Sequence, residues 1–359
     1  MMMLFFLLYC FFLSILFRKK SNFSLLVSLL PFFLFGSLRH FSVGNDSIEY
    51  ARVYQIISSS GSDIFKHRYE LGFLKLNEIL SSISNSYTLL FIVTMAITVY
   101  ALYVMLRDYS LMPGMAVSMY FLLRYYDMSL NVMRLSIAIA LTILATCQLL
   151  KNKRSSFILL VILASMFHRT ALIYLIAIFI WNFKVKISKK ILLLLCGSVS
   201  ILLVIFDFLI KVIVKFFPIY SYYLNSVYYD GNIRLATIFN IVTFTFLTLL
   251  SYMIFKRNKS EINRSAQFKE VENFCLTTIV LGILISIVSI KFNLFDRVAD
   301  YFLIYILIYL PNQITKIKNT YLSILITYSL CISLILYYLI IIIYRPEWNK
   351  VYPYLFFWQ

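Results

Sequence analysis

Acidic residues are scarce in this chain: 15 against 33 lysines and arginines, for a net charge of +18 over 359 residues. Charged residues of both signs make up only 13% of it, about half the share of a soluble domain, while 62% is hydrophobic. Eight glycines and six prolines are too few for a loop-rich or disordered chain. The five cysteines (Cys10, Cys147, Cys196, Cys275 and Cys331) lie inside apolar runs and show no Cys-x-x-Cys spacing. Neither a disulfide framework nor a zinc site is supported. Also missing are a P-loop, an HExxH helix and a GxSxG elbow, so ATP-driven pumping, metalloprotease and hydrolase chemistry have no motif. The hydrophilic stretches carry no Asp-x-Asp pair to hold a nucleotide sugar through a metal ion. No metal and no cofactor is expected.

What remains is apolar length. A run of about 20 apolar residues crosses a bilayer as a helix, and twelve candidate spans follow from that length: 2–17, 23–38, 87–106, 111–124, 130–150, 155–167, 169–182, 191–210, 235–255, 273–290, 298–313 and 320–343. The prediction is an all-α integral membrane protein, a single polytopic domain over 1–359 built as a bundle of about twelve transmembrane helices. Positive charge follows the first run, at Arg18-Lys19-Lys20, rather than preceding it as in a signal peptide, so this run is expected to be a retained span.

Basic residues are spread between the apolar runs, which excludes nucleic acid as the reason for the charge. The connectors Arg18–Lys20, Lys151–Arg154, Lys184–Lys190, Lys256–Lys269 and Lys316–Lys318, with Arg107, hold 18 of the 33 lysines and arginines. Such stretches face the cytoplasm, which puts both termini outside. The 27-residue run Ser155–Trp181 has basic connectors on both flanks, and a single crossing cannot leave both in the cytoplasm. Two short helices meeting at Phe167-His168-Arg169 remove the conflict, an arrangement tolerated where broken helices line a cavity. An outward-facing cavity with His168 and Arg169 at its floor is therefore expected. Two long outer loops remain, 39–86 and 211–234. The first holds five of the fifteen acidic residues, and the second is rich in tyrosine (Tyr220, Tyr222, Tyr223, Tyr228, Tyr229), read first as an interfacial aromatic belt.

Four groups of residues could carry chemistry. In Arg39–Tyr50, Asp46 either takes a proton or orients a hydroxyl, or it caps the helix beginning at Ser47, and Glu49 and Tyr50 sit beside it. Asp127, Asn131 and Arg134 follow at spacings of four and three, on one face of the fifth predicted helix. Arg134 there either snorkels or offers a fork of donors to a phosphate or diphosphate. His168, next to Arg169, either makes a helix–helix hydrogen bond or serves as a base near neutral pH. Asp296-Arg297 with Asp300 and Tyr301 forms either internal ion pairs or a ligand site.

Three stretches, in this order, resemble the EpsG-like and Wzy-type polysaccharide polymerases of bacterial envelopes. One is Arg39-x4-Gly44-x-Asp46-x3-Tyr50 with Tyr69-Glu70-Leu71-Gly72-Phe73. The next is Asn131-x2-Arg134-x3-Ala138, a basic connector, and Ala164-x2-Phe167-His168-x2-Ala171; the last is Arg297-x3-Tyr301. Arg169 departs from the pattern, where a small or hydroxylated residue is expected. The resemblance implies a metal-independent glycosyltransferase on the outer face of the bacterial cytoplasmic membrane, joining repeat units carried on undecaprenyl diphosphate into O-antigen or capsular polysaccharide. Its partners would be lipid-linked donor and acceptor, the bilayer and, optionally, a chain-length regulator. His168 and Asp46 would be the catalytic residues. Arg134, Arg297, Arg39 and Arg169 would bind diphosphate, and Asn131, Asp127, Glu49, Tyr50 and Tyr301 would orient sugar. A lipid-linked oligosaccharide flippase and an O-antigen ligase are the alternatives.

Overall fold

The computed structural model describes residues 2–16, 21–185, 187–216, 234–257 and 266–359. Among them there is no strand, only an isolated bridge between Arg39 and Phe356. An apolar chain in hydrocarbon has no water for its backbone, and a helix satisfies those groups within itself. In chain order the helices are α1 (Met2–Leu16), α2 (Asn22–Ser37), α3 (Ser47–Ser60), α4 (Leu71–Ser81), α5 (Thr88–Tyr109), α6 (Pro113–Leu122), α7 (Tyr125–Asn131), α8 (Met133–Leu149) and α9 (Arg154–Ser165). After a 3₁₀ segment, Arg169–Leu175, come α10 (Ile176–Asn182), α11 (Lys189–Phe216), α12 (Leu235–Arg257), α13 (Ala266–Val288), α14 (Phe295–Leu303), α15 (Ile306–Ile314) and α16 (Thr320–Tyr344). Local chemistry sets several ends. The Ser21 side chain accepts from the Ser24 amide at the start of α2, and Asn319 does the same for the Leu322 amide of α16 at 3.0 Å. Pro113 opens α6, where its missing N–H costs nothing.

The described residues fall into two compact units, Met1–Leu175 with Pro311–Gln359, and Ile176–Leu310. In the first, every residue of α6 is buried, and α8 is buried over most of its surface. A helix apolar on all sides belongs at the centre of a bundle, and these two form that centre. The stretch 39–86, expected as an outer loop, is a small folded cap instead. Its Tyr50, Val53, Tyr54, Ile57, Phe65, Tyr69 and Phe73 close over Leu90, Phe91 and Met133 of α5 and α8. In the second unit α13 is the most buried of the three long helices, and Gly282 lies against Leu303 of α14.

Five described helices are long and apolar enough to cross a membrane: Thr88–Tyr109, Lys189–Val212, Leu235–Lys256, Phe268–Val288 and Thr320–Tyr344. Other predicted spans form shorter helices of 10–17 residues, among them Met133–Leu149 and Arg154–Ser165. The run 298–313 is divided between α14 and α15. Hydropathy counts apolar residues and is blind to a turn made of apolar residues, so these interruptions leave no mark on it. The expected break near His168 is there: α9 stops at Ser165, and the 3₁₀ segment begins at Arg169. Helix α11 runs to Phe216, into the stretch predicted as the second outer loop, whose tyrosines lie outside the described residues together with Arg18–Lys20.

Connectors that the charge bias assigns to one face also meet in space. Lys151 pairs with Asp108 at 2.8 Å, beside Arg107, in the first unit. Lys184 pairs with Glu270 at 2.6 Å in the second.

Two glycines give opposite expectations for stability. Gly44 has φ +97°, and a Cβ added there would lie 2.8 Å from the Leu130 carbonyl oxygen. Gly44→Ala should cost on the order of 1–3 kcal/mol, read as a lowered melting temperature of the detergent-purified protein. Gly197 lies inside α11 with nothing near its Cβ position. Gly197→Ala should raise the melting temperature, by roughly 0.5–1 kcal/mol of helix propensity.

Candidate functional site

The first unit gathers most of the singled-out residues, and Arg39 shows how. Its side chain is fully buried. It donates to the Gly36 carbonyl and, at 3.1 Å, to the Leu130 carbonyl, and its guanidinium lies 4.0 Å from the Phe91 ring centre. Both carbonyls are in the last turns of helices, α2 and α7, where carbonyls lack helical partners and a cation is favoured. Arg39, expected to bind diphosphate, here joins two helix ends with its side chain closed off from the surface. Ser47 donates to the same Leu130 oxygen at 2.9 Å. The side-chain oxygen of Asn131 accepts from the Asp46 amide at 2.9 Å, which fixes the start of α3. Asp46 occupies the N-cap position of that helix, as one of its two readings required, but its side chain makes no capping hydrogen bond.

Asp127, Asn131 and Arg134 do not share one helix face. The backbone turns at Val132 (φ −97°, ψ 66°), so Asp127 and Asn131 belong to α7 and Arg134 to α8. The turn sends the three side chains to different partners. Asp127, buried, lies 3.9 Å from Arg124 and accepts from the Tyr338 hydroxyl at 3.2 Å. Asn131 reaches the C-terminal segment at Asn349, 3.2 Å away. Arg134 turns to the cap.

There Arg134 Nη1 meets Glu70 Oε2 at 2.5 Å, with side-chain exposures of 22% and 14%. The guanidinium lies 4.8 Å from the Tyr69 ring centre, and Tyr50 is a second hydrogen-bonding partner. Burial pushes the Tyr69 phenol up to about 12, so the ring facing the guanidinium stays neutral. Beside Tyr50 and Tyr69, their chain neighbours Glu49 and Arg68 pair at 2.8 Å. Helix α4 in turn holds the His168 turn. The Gly72 amide donates to the Met166 carbonyl at 2.8 Å, a contact so close that any Cβ at position 72 would collide with it. His168, partly buried, has Nδ1 2.6 Å from the Thr170 hydroxyl, which sets the ring's orientation, and Arg169 is exposed. The motifs Tyr69–Phe73 and Ala164–His168, some 90 residues apart in sequence, are therefore in contact.

Two features escaped the sequence reading. Glu70 is one, although it stands inside a quoted motif; a lone glutamate in a polar stretch gives no sign of its partner. The C-terminal segment is the other. The Gly44 amide donates to Lys350, Asn45 to Glu347 and Trp348, and the His40 amide to Leu355, so residues 347–355 lie along the Arg39–Asp46 stretch. The Arg124 guanidinium lies 4.1 Å from the Trp348 ring centre.

Arg297 and Tyr301 lie on α14 in the second unit. Tyr301 is fully buried. Neighbouring Asp296 accepts from Ser289 at 2.5 Å and Thr237 at 3.2 Å. Those hydroxyl contacts explain its place at the head of the helix.

Removing the carboxylate that faces Arg134 should destabilise the protein, by less than the roughly 3–5 kcal/mol of a fully buried pair because both partners keep some exposure. Glu70→Gln should therefore lower the melting temperature in detergent. In the Glu70→Gln/Arg134→Gln cycle the second change should cost less than it does alone. Strict additivity would show that the two residues are not coupled.

A search of curated proteins and of solved structures finds no match. A family model does match, the EpsG family, over residues 22–356, which takes in the cap, the Arg134–Glu70 pair, the His168 turn and α14. The chain belongs to the EpsG family.

Proposed function

We propose that this protein is a membrane glycosyltransferase that polymerises undecaprenyl-diphosphate-linked repeat units into surface polysaccharide, O-antigen or capsule, on the outer face of the bacterial cytoplasmic membrane. The proposal keeps the bundle of about twelve spans with both termini outside. Membership of the family supports it. So does the site's one decisive observation: a partly exposed arginine held by a carboxylate and two tyrosines, tied through Gly72 to a broken helix that carries His168.

In the reaction the acceptor hydroxyl attacks the anomeric carbon of the growing chain. The bond from that carbon to the diphosphate oxygen breaks, the hydroxyl proton passes to a base, and undecaprenyl diphosphate leaves. The donor is already activated, so nucleotide and ATP are not needed. Arg134 serves the developing charge on the diphosphate. A fixed donor of this kind is worth about 3–4 kcal/mol, and a planar fork suits two phosphate oxygens better than an ammonium does. In the donor-free state Glu70 fills that fork, and the diphosphate displaces it. His168 is the base, worth roughly 10²–10⁴-fold, with Asp46 as an orienting group.

The test is the surface-polysaccharide ladder of a deletion strain. Single-repeat glycan after deletion, with the ladder restored by wild type, supports the polymerase. Loss of all exported repeat units would assign the chain to lipid-linked oligosaccharide export, and long lipid-linked polymer would assign it to the ligase step. Complementation with Arg134→Lys, expressed at the wild-type level in membranes, should shorten the ladder sharply although it keeps the charge. Full-length polymer in that strain would remove Arg134 from the diphosphate site. The same assay on Arg297→Lys asks whether the second cation that the family resemblance implies contributes.

A further inference from the structure

The second unit contains a cavity of about 200 Å³ that none of the reactions above uses, lined by Trp181, Lys184, Lys269, Glu270 and Phe274 among others. It lies between the end of α10 and the first turns of α13. Both lysines come from connectors whose Lys/Arg content assigns them to the cytoplasmic face. We infer that this cavity binds the headgroup of an anionic phospholipid, its two lysines on the phosphodiester and its Trp181 and Phe274 walls against the glycerol and first acyl carbons.

The backbone at Lys184 is the first support. The Val185 amide donates to the Ile180 carbonyl at 3.1 Å and the Lys184 amide to the Trp181 carbonyl at 3.2 Å. These are the two bonds that close a helix through a left-handed residue, a position glycine fills most easily. Lys184 occupies it at φ +47°, and Thr277 fastens the next residue by donating to the Val185 carbonyl at 3.1 Å. A lysine in that conformation costs more than a glycine would, a cost it shares with Arg124, Asn152 and Lys350, and the cavity gives its side chain a use. Pairing with Glu270 does not account for it, because that bridge is largely exposed, with Lys184 65% accessible, and exposed bridges contribute little.

Charge and shape supply the rest. Two lysines and one glutamate leave the cavity with one positive charge, which matches a phosphodiester monoanion. A diphosphate would leave it overcharged. Trp181 stands edge-on to Phe274 with ring centres 6.0 Å apart, an aromatic wall of the kind found where helices meet the headgroup region. Basic cavities between helices on the cytoplasmic side are where anionic headgroups bind.

The test uses the full chain in detergent, with native mass spectrometry of lipid retained from an equimolar mixture of phosphatidylglycerol and phosphatidylcholine of the same acyl chains. Wild type should retain phosphatidylglycerol in preference. Each lysine should account for about a fivefold part of that preference. Lys184→Gly relieves the backbone strain, so it should melt no lower than wild type and yet lose its share; Lys269→Gln should do the same from the α13 side. Glu270→Gln should strengthen the preference by removing the competing carboxylate. If Lys184→Gly and Lys269→Gln retain the lipids in wild-type proportion, the site is refuted. If inorganic phosphate alone displaces phosphatidylglycerol at millimolar concentration, the cavity is a phosphate site and the lipid assignment falls. Polysaccharide ladders play no part in these readouts, so the outcome is independent of the proposed enzymatic activity.

Discussion

A guanidinium with no surface exposed to water must find its hydrogen bonds inside the protein, and Arg39 finds them on two helix C-termini at once. That choice is economical, because the last carbonyls of α2 and α7 need donors and their aligned dipoles favour a positive charge. It also fixes geometry. Helix α7 has seven residues, too short to be stable alone, and its end at Leu130 is held by Arg39 from one side and Ser47 from the other. The backbone turn at Val132 follows directly, and that turn aims Arg134 at the cap. Gly44 is part of the same device, since only a residue without a Cβ can bring the chain this close to the Leu130 oxygen.

From that anchor the rest of the first unit follows by contact. The C-terminal segment is laid along the Arg39–Asp46 stretch by backbone hydrogen bonds, and Tyr338 joins α16 to Asp127. The cap closes its own apolar cluster over Phe91, which faces Arg39, and over Met133, whose sulfur lies 3.4 Å from the same guanidinium. Helix α9 has twelve residues, a rise of about 18 Å against a hydrocarbon core of about 30 Å. A helix that stops so far short leaves carbonyls to be satisfied, and Gly72 at the head of α4 supplies one of the missing donors.

Much of this was legible in the residues. Apolar length gave the helical membrane class, and the order of three motifs gave the family. The conflict of charge around Ser155–Trp181 located a break at His168, because charge sidedness is a global constraint that a local hydropathy count lacks. The rest depended on partners distant in sequence. Arg39 and Arg134 look alike on paper, each a lone arginine beside an apolar run. Only the fold shows one spent on carbonyls and the other facing a carboxylate. The turn at Val132 was hidden for a different reason. Spacings of four and three are helical, and an apolar residue with an unusual ψ leaves no trace in composition.

The contrast between those two arginines also says which one suits an anionic ligand. Arg39 is bound by neutral carbonyls and keeps its full charge, but an anion would have to enter a closed core to reach it, giving up its hydration with no opening to pass through. Arg134 is compensated by Glu70, so the resting site carries no uncancelled charge in a poorly solvated setting. Under the proposed function an arriving diphosphate takes over the fork while Glu70 turns outward to water, since both side chains retain some exposure. Exchange of one anion for another at a fixed cation avoids ever baring the guanidinium. In the proposed reaction it also frees a carboxylate two residues from Gly72, whose amide holds the His168 turn, as the donor arrives.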